Sequence, residues 1–451
     1  LLAVVAIAYF VIKNYYPPMM LWLLGVVLLV IGVMMGNAPV GPKTATNFVG
    51  FDIAQALTDL LKSRLGGLGL NIMAIAGFSF YMNKLGASKA LVKACIRPLS
   101  AIRSPYLLLG VTYLVGQTMA LFINSAVGLG LLLMASIYPL LVQLGVRRAA
   151  AAAVIGSTCC LDLGPSSSNA MRASDLIGTD VVTYFVTGQI PVAVSIMIAV
   201  AVGHALIQRW FDRREAAKGI VDAGIAQNAD SKDPFADAGP AHYAILPILP
   251  LFLLLIFSPM VYAGIKLSLV TAIVVSILIS FVVDLLTRRT FKQCCADGQA
   301  FFEGMGKVFI STVSLIVCAE LFAVGLTKVG GISTLIQLAA SQEGMGLALM
   351  LFVMMAIMVI ATIVTGSGNS AFFAFSPLLP EAAASVGYNT MALVVPVQLA
   401  ASLARPMSPI SGVIIAVSGI AGLTPIELIR RTIPVMIIGM IVNVVASLVF
   451  L

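Results

Sequence analysis

Charged residues are scarce in this chain. Only 10% of its 451 residues are Asp, Glu, Lys or Arg, whereas 60% are hydrophobic. No soluble core could bury that much apolar surface, so the composition indicates a polytopic α-helical membrane protein. The apolar runs are continuous rather than alternating, and this pattern excludes a transmembrane β-barrel.

Motifs for catalysis and metal binding are also lacking. The sequence contains no HExxH motif, no phosphate-binding loop and no paired catalytic carboxylates inside the apolar runs, so it does not indicate an enzyme. The six cysteines show no CxxC or zinc-type spacing. We interpret them as buried or cytoplasmic thiols, and we expect no organic cofactor or structural metal.

The formal net charge is +8, but nucleic acid is not the expected partner. Most Lys and Arg residues lie in segments between apolar runs, at positions that would all face one side of a membrane. This bias is typical of cytoplasmic loops. The expected surroundings are therefore a lipid bilayer, which the chain crosses several times.

Four polar, glycine-rich breaks interrupt the apolar runs. In lipid, non-helical backbone is tolerated only where protein buries it or water reaches it, so the breaks should line a cavity near the middle of the membrane. Two breaks predict tips of re-entrant helical hairpins, and two predict interruptions within helices. The predicted elements are a hairpin at 104–146, a broken helix at 149–180, a hairpin at 345–386 and a broken helix at 390–422.

The two halves of the sequence repeat each other. The glycine motif at 128–130 is followed by Pro-Leu-Leu at the same spacing as the glycine motif at 366–368, and residues 164–167 match residues 408–411. Each half predicts five crossings, an odd number, so the second half should be inverted. Inverted repeats with broken helices are typical of secondary transporters. The predicted parts are a first repeat at 1–218, a cytoplasmic linker at 219–241 and a second repeat at 242–451.

The breaks carry the candidate ligands. Helix N-termini attract carboxylates, and free carbonyls with hydroxyls and amides suit a hard cation such as sodium. The alternative is packing, because small polar residues also let helices approach closely. The candidate substrate ligands are Asn124, Ser125, Ser166, Ser167, Asn169, Thr365, Ser367, Gly368, Asn369, Ser370, Arg405, Ser408 and Ser411.

Among these candidates, Arg405 has the strongest physical argument for a role in substrate binding. An unpaired Arg in a membrane segment costs at least about 2.5–3.5 kcal/mol, and a substrate carboxylate would offset that cost and fit the guanidinium fork. The alternative is a structural pair with Asp162 in the matching break. Asp162, with Asn124 and Ser125, is also a candidate for the coupling ion, which would be sodium or a proton. Asp162 would otherwise serve to neutralise Arg405 or Arg172.

The glycine motifs at 128–130 and 366–369, together with the segments 103–106 and 403–409, resemble the DcuC family of anaerobic four-carbon dicarboxylate carriers. The resemblance extends over nearly the whole chain. It implies exchange of succinate, fumarate or malate, or efflux of succinate, across the bacterial cytoplasmic (inner) membrane. The chain is also similar to the wider ion transporter superfamily, whose members move a transport domain past a scaffold and are often homodimers.

This resemblance implies an elevator-type carrier. The hairpins and broken helices would form the moving part, and the segments Leu1–Met35 and Tyr243–Leu286 would form the scaffold. A span at Gly69–Met82 is predicted to follow a separate amphipathic segment near Phe51–Leu61. Two other functions stay open from the residues alone: a carrier or exporter of another organic anion, and an ion channel, whose flux would not depend on a counter-substrate.

Overall fold

The computed structural model of this chain is entirely helical in the part that it describes. Described are residues 15–41, 44–96, 99, 102, 104–123, 125–219, 235–258, 261–262, 264–288, 290–330 and 346–451. Asn124 and most of the predicted linker at 219–241 lie outside these residues. Within them, seven helical segments are long and apolar enough to cross a membrane, which confirms the all-α membrane class.

Seventeen helices are considered below. In chain order they are α1 (Pro17–Met34), α2 (Val49–Lys84), α3 (Ala87–Ile96), α4 (Pro105–Met119), α5 (Ala126–Gln143), α6 (Arg148–Ser157), α7 (Ser168–Ile177), α8 (Val181–Ala217), α9 (Ala241–Ile256), α10 (Leu269–Arg288), α11 (Phe291–Lys328), α12 (Gly346–Thr365), α13 (Gly368–Phe375), α14 (Leu379–Ser385), α15 (Thr390–Leu403), α16 (Gly412–Ala421) and α17 (Pro425–Phe450).

The helices form two bodies. The frame consists of α1–α3 and α9–α11, in which α11 packs along both α1 and α2. The core consists of α4–α8 and α12–α17, in which α8 and α17 pack against each other and against the hairpins and broken helices. The two bodies meet chiefly where α11 contacts α13. The frame thus includes the described parts of the predicted scaffold segments, but also α2, α3 and α11, which the prediction leaves out.

Two long helices of the frame each contain a π-helical turn. In α2 this turn is Leu65–Gly69, and in α11 it is Phe309–Val313. The prediction of an amphipathic segment followed by a short span at Gly69–Met82 is confirmed, because an amphipathic helix at Val49–Arg64 meets a second helix at Leu70–Lys84 across a kink. The label α2 covers both helices. The helix bends there, since Gly67 leaves helical geometry at φ −106° and ψ −106°.

Serine N-caps begin the second helix of each predicted hairpin. The Ser125 hydroxyl accepts from the amide of Gly128 at the start of α5, and the Ser367 hydroxyl accepts from the amide of Ser370 at the start of α13. Such caps satisfy amides that have no partner within the helix. At both predicted hairpins, the helix after the break therefore begins with a serine cap. The re-entrant course of the hairpins and the inverted repeat stay predictions.

The two predicted broken helices have similar second halves. Both α7 and α16 contain ten residues, and both end at a glycine in the left-handed region, Gly178 at φ 74° and Gly422 at φ 67°. The interruption before α7 spans residues 158–167, and the interruption before α16 spans residues 404–411. These correspondences fall at the positions on which the repeat is predicted.

The second hairpin tip packs tightly on the second broken helix. Gly366 has φ 71°, and a Cβ there would lie 2.7 Å from the carbonyl oxygen of Ile410. Gly387 has φ 70°, but a Cβ there meets nothing within 4 Å. Alanine at either position costs roughly 1–2 kcal/mol for the left-handed backbone. Only at Gly366 does it also push the tip away from the broken helix.

We therefore expect Gly366→Ala to lower the thermal unfolding temperature in detergent clearly more than Gly387→Ala. The substitution at Gly387 serves as the control for the backbone cost alone. Equal shifts for the two variants would mean that the contact between the tip and the broken helix does not stabilise the fold.

Candidate functional site

A cavity of about 220 Å³ lies between the frame and the core. The frame lines it with one face of α2, because the lining positions recur at helical intervals of three and four residues. Val308 and Thr312 of α11 complete the frame side. The lining residues of α2 are Ile72, Ile75, Ala76, Ser79, Phe80 and Asn83.

All four predicted breaks reach this cavity from the core side. The first hairpin tip contributes Ser125, the first broken helix contributes residues 161–163 and 166–168, the second tip contributes Asn369, and the second broken helix contributes Arg405. The structure thereby brings six of the predicted candidates together. They are Ser125, Asp162, Ser166, Ser167, Asn369 and Arg405.

One ion pair occupies the core wall of the cavity. Nη2 of Arg405 lies 2.8 Å from Oδ1 of Asp162 and also donates to the carbonyl of Cys159; the side chains of Arg405 and Asp162 are 14% and 18% exposed. The structural alternative predicted for Arg405, a pair with Asp162, is thus present in the structure. Within the described residues, Nε and Nη1 of Arg405 have no protein acceptor. That edge of the guanidinium remains able to bind an anion.

The carboxylate of Asp162 is held from several sides. Its Oδ2 atom accepts hydrogen bonds from Nδ2 of Asn169 and Oγ of Ser402, each at 2.9 Å. Its Oδ1 atom faces Arg405. Asp162 does not contact Arg172, whose carboxylate partners are Asp175 and Glu320. The proposal that Asp162 neutralises Arg172 is therefore wrong, because α7 directs Arg172 toward the frame.

Buried glutamines fix the non-helical backbone around Asp162. Gln398 and Gln189 donate to the Asp162 carbonyl at 2.9 and 3.1 Å, and Oε1 of Gln189 accepts from the amide of Gly164 at 2.9 Å. Gln117 pairs with both backbone groups of Leu161, at 2.8 and 3.1 Å. Unpaired backbone groups are costly away from water, so these amides stabilise the break. All three glutamines could have been singled out from the sequence, because each places an amide side chain within an apolar run. Gln189 meets this criterion as clearly as Gln117 and Gln398.

Three helix N-termini point at the cavity. They belong to α5, α7 and α13, whose first residues at the cavity are Ala126, Ser168 and Asn369. In each helix the N-cap serine accepts only the third amide, from Gly128, Ala170 or Ser370. Free amides at a helix N-terminus carry partial positive charge and bind anions. Together with Arg405 they outweigh the single carboxylate of Asp162, so the cavity suits an anion.

The other candidates at the second tip bond within the protein. Oγ1 of Thr365 accepts from the amide of Ser367 at 3.2 Å, and Oγ of Ser370 donates to Oγ of Ser367 at 3.0 Å. Gly368 packs on the second broken helix, since a Cβ there would lie 2.6 Å from the carbonyl oxygen of Ala401. These residues shape the tip, and a direct contact with substrate stays a prediction for them.

Two serines of the second broken helix differ in their hydrogen bonding. Ser408 donates to the carbonyl of Ile363 at 2.7 Å and so fastens the break to α12. Ser411 is fully buried, and its hydroxyl has no partner among the residues described. Neither lines the cavity. Their part in binding stays a prediction, as does that of Asn169, which reaches the cavity only through Asp162.

The frame wall can be tested by cysteine labelling. Ala76 lines the cavity, whereas Ala74, two residues earlier on α2, is buried elsewhere. In a background with the six native cysteines replaced by alanine, we expect Ala76→Cys to react with a small methanethiosulfonate at least about tenfold faster than Ala74→Cys, because α2 turns about 100° per residue. Similar rates would place the water-filled space elsewhere.

Two solved structures share the fold of this chain. The YdaH transporter of Alcanivorax borkumensis superposes with a TM-score of 0.67 at 16% identity, over 96% of this chain and 98% of that one. MtrF of Neisseria gonorrhoeae, described as one of a class of antimetabolite efflux pumps, superposes with a TM-score of 0.60 at 16% identity, over 96% and 95%. At this identity the likeness establishes the fold alone.

Sequence comparison identifies the family. The probable anaerobic C4-dicarboxylate transporter DcuC of Vibrio cholerae is 35% identical over 446 residues, covering 98% of this chain and 95% of that protein. The anaerobic C4-dicarboxylate transporter DcuC of Escherichia coli K12 is 34% identical over 445 residues, covering 98% and 94%. The family model for DcuC, the C4-dicarboxylate anaerobic carriers, matches residues 1–451. The chain therefore belongs to the DcuC family of multi-pass membrane carriers, and not to a family of enzymes.

Proposed function

We propose that this carrier moves four-carbon dicarboxylates such as succinate, fumarate and malate across the bacterial cytoplasmic membrane, by exchange or efflux. The observation that carries the proposal is the cavity in which Arg405 and three helix N-termini converge between two bodies. The relatives from Vibrio cholerae and Escherichia coli, whose names specify C4-dicarboxylate transport, support the substrate class.

A dicarboxylate suits the spread of positive charge in the cavity. One carboxylate would bind the free edge of Arg405, and the other would accept amides at the starts of α5 and α7, near Ser125 and Ser167. The volume also fits. A cavity of about 220 Å³ holds several water molecules and so has room for a small dicarboxylate.

Alternating access would follow from movement of the core against the frame. The cavity has one wall on each body, so a shift of the core along α2 and α11 would carry Arg405 and the bound anion past a fixed surface. Such a shift leaves the packing within each body intact.

The proposal includes a homodimer formed through α1 and α10, which expose the apolar side chains of Val27 and Leu278 on their outer faces.

A cation would couple transport through Asp162. Its carboxylate, the carbonyls of the first break and the hydroxyl of Ser125 offer oxygen ligands for sodium, and Asp162 alone offers a site for a proton. Asn124 remains a proposed ligand from the sequence. No organic cofactor is proposed.

Counterflow in proteoliposomes tests the function. Vesicles loaded with unlabelled succinate should accumulate labelled succinate, and fumarate and malate should compete, while an acylated amino acid should not. The assay is run with and without a sodium gradient and with and without a pH gradient. Absence of both counterflow and gradient-driven uptake would overturn the dicarboxylate assignment. Competition by the acylated amino acid alone would instead favour an exporter of other organic anions.

A further inference from the structure

Four charged side chains form a cluster away from the Asp162–Arg405 pair. Arg172 lies 2.8 Å from Glu320 and 2.9 Å from Asp175, and Arg64 lies 3.1 Å from Asp175 and 2.5 Å from Glu320. Arg172 is 2% exposed and Glu320 is 8% exposed. Each cation contacts both anions, so the cluster is electrically balanced although half of it is buried. We call it the four-charge cluster.

The four-charge cluster joins the core to the frame. Arg172 and Asp175 lie on α7 of the core, whereas Arg64 lies on α2 and Glu320 on α11 of the frame. Two of its pairs, Arg172–Glu320 and Arg64–Asp175, therefore cross between the bodies. Nε of Arg172 also donates to Oγ of Ser376 at 3.4 Å, next to α13. The first broken helix and the second hairpin are thus held at the same point.

Other buried ion pairs in the described part of the chain stay within one body. Arg431 pairs with Asp212 at 2.7 Å inside the core, and Arg288 pairs with Asp297 at 3.0 Å inside the frame. Such pairs can move with their body without breaking. The two crossing pairs of the four-charge cluster cannot, because any displacement of the core along the frame separates their partners.

The cluster also lies beyond one end of the cavity. On α2 the cavity lining runs from Ile72 to Asn83, and Arg64 lies eight residues before Ile72, on the other side of the kink at Gly67. Helix α11 runs antiparallel to α2, since Gly77 packs on Phe301 and Gly69 packs on Val313. On α11, Glu320 is eight residues beyond Thr312, roughly 12 Å along the helix. Both helices therefore place the cluster at the same end, opposite Asn83.

We propose that the four-charge cluster is a gate that closes this end of the cavity and holds the core in the position seen here. Opening requires both crossing pairs to break and their charges to become hydrated. Removing one partner leaves a buried charge without compensation, which strongly disfavours the closed arrangement, whereas replacing a buried pair by apolar side chains is often neutral. A single substitution should therefore open the cluster, whereas replacement of both partners of a pair should leave it closed. This gate rests on the proposed alternating-access function.

Distance measurements between the bodies test the gate. Spin labels are placed at Ser63 on α2 and at Thr179 just after α7, in carrier reconstituted without substrate. We expect a short, narrow distance distribution for the native cluster. Glu320→Gln, and the milder Arg64→Ala at the rim, should shift at least about half of the molecules to longer distances. The double variant Arg172→Met with Glu320→Leu should restore the short distance, because it leaves no unpaired charge.

Asp297→Asn is the matched control. It neutralises a buried carboxylate that pairs with Arg288 inside the frame, so its distance distribution should equal the native one. A second readout is labelling of Thr312→Cys, in the cysteine-free background, by a membrane-impermeant thiol reagent added on the side of Asp175. Labelling should be slow in the native cluster and at least about tenfold faster in Glu320→Gln.

The outcomes separate this inference from the proposed function. Unchanged distances and labelling in Glu320→Gln and Arg64→Ala would overturn the gate, even if dicarboxylate counterflow is normal. The predicted shifts without any dicarboxylate counterflow would support the gate and overturn the substrate. A double variant that opens as far as Glu320→Gln would also contradict the gate, since unpaired charge would then not be the cause.

Discussion

Arg405→Lys is expected to lower the apparent affinity for dicarboxylates at least about 100-fold while preserving the charge at this position. Arginine bonds Asp162 and the Cys159 carbonyl through one nitrogen and keeps its other edge free for an anion. Lysine is a compact point charge without this planar fork and cannot do both. Two charge-assisted hydrogen bonds at about 1.5–3 kcal/mol each account for a loss of this size. Concentration dependence of succinate counterflow measures it.

Arg431→Lys is the matched control for this experiment. Arg431 is also a buried arginine of the core, paired with Asp212 at 2.7 Å and Glu215 at 2.6 Å, but it does not line the cavity. Its substitution should lower the thermal unfolding temperature and leave the apparent affinity nearly unchanged. Native affinity in Arg405→Lys would remove Arg405 from the binding site. An equal loss in both variants would point to a general defect of the core.

Local signals in the sequence sufficed to predict the core wall of the cavity. Asp162 and Arg405 stand out because a charge inside an apolar run requires a partner. The tips near Ser125 and Asn369 stand out because glycines and polar residues interrupt otherwise continuous helices. These features depend on a few neighbouring residues, so they are visible without knowledge of the packing.

The frame wall has no comparable local signal. Ala76 and Ser79 are ordinary residues of an apolar helix, and they become cavity residues only because α2 faces the core at that level. The four-charge cluster is hidden for the same reason, since Arg64 and Glu320 are 256 positions apart. Pairing at such separation follows from the way the halves pack, and no residue in either neighbourhood indicates it.

The serines at the breaks show that residue type alone does not predict which side chains line the cavity. Ser125 and Ser408 both follow apolar runs at predicted breaks, yet Ser125 lines the cavity and Ser408 bonds the carbonyl of Ile363. A hydroxyl takes whichever free backbone group lies nearest, and that depends on how the break bends. Residue type and position at a break therefore predict a role in shaping the site better than they predict a contact with substrate.

Asp162→Asn is expected to separate net efflux from exchange. In the empty carrier the carboxylate of Asp162 neutralises Arg405, whereas in the loaded carrier a substrate carboxylate provides a second negative charge. Without Asp162 the empty core must move with an uncompensated cation, at a cost of about 2.5–3.5 kcal/mol, which slows its return about 100-fold. Exchange never requires the empty carrier to return, so it should fall less than about tenfold.

The measurement compares two fluxes from the same proteoliposomes loaded with labelled succinate. Net efflux is followed into buffer without dicarboxylate, and exchange is followed into buffer containing succinate, each with and without sodium and pH gradients. Asp212→Asn, which neutralises a buried carboxylate of the core paired with Arg431, should reduce both fluxes by the same factor. Equal reduction in Asp162→Asn would show that Asp162 does not serve the empty carrier. Loss of a gradient effect only in this variant would identify Asp162 as the site through which the coupling ion acts.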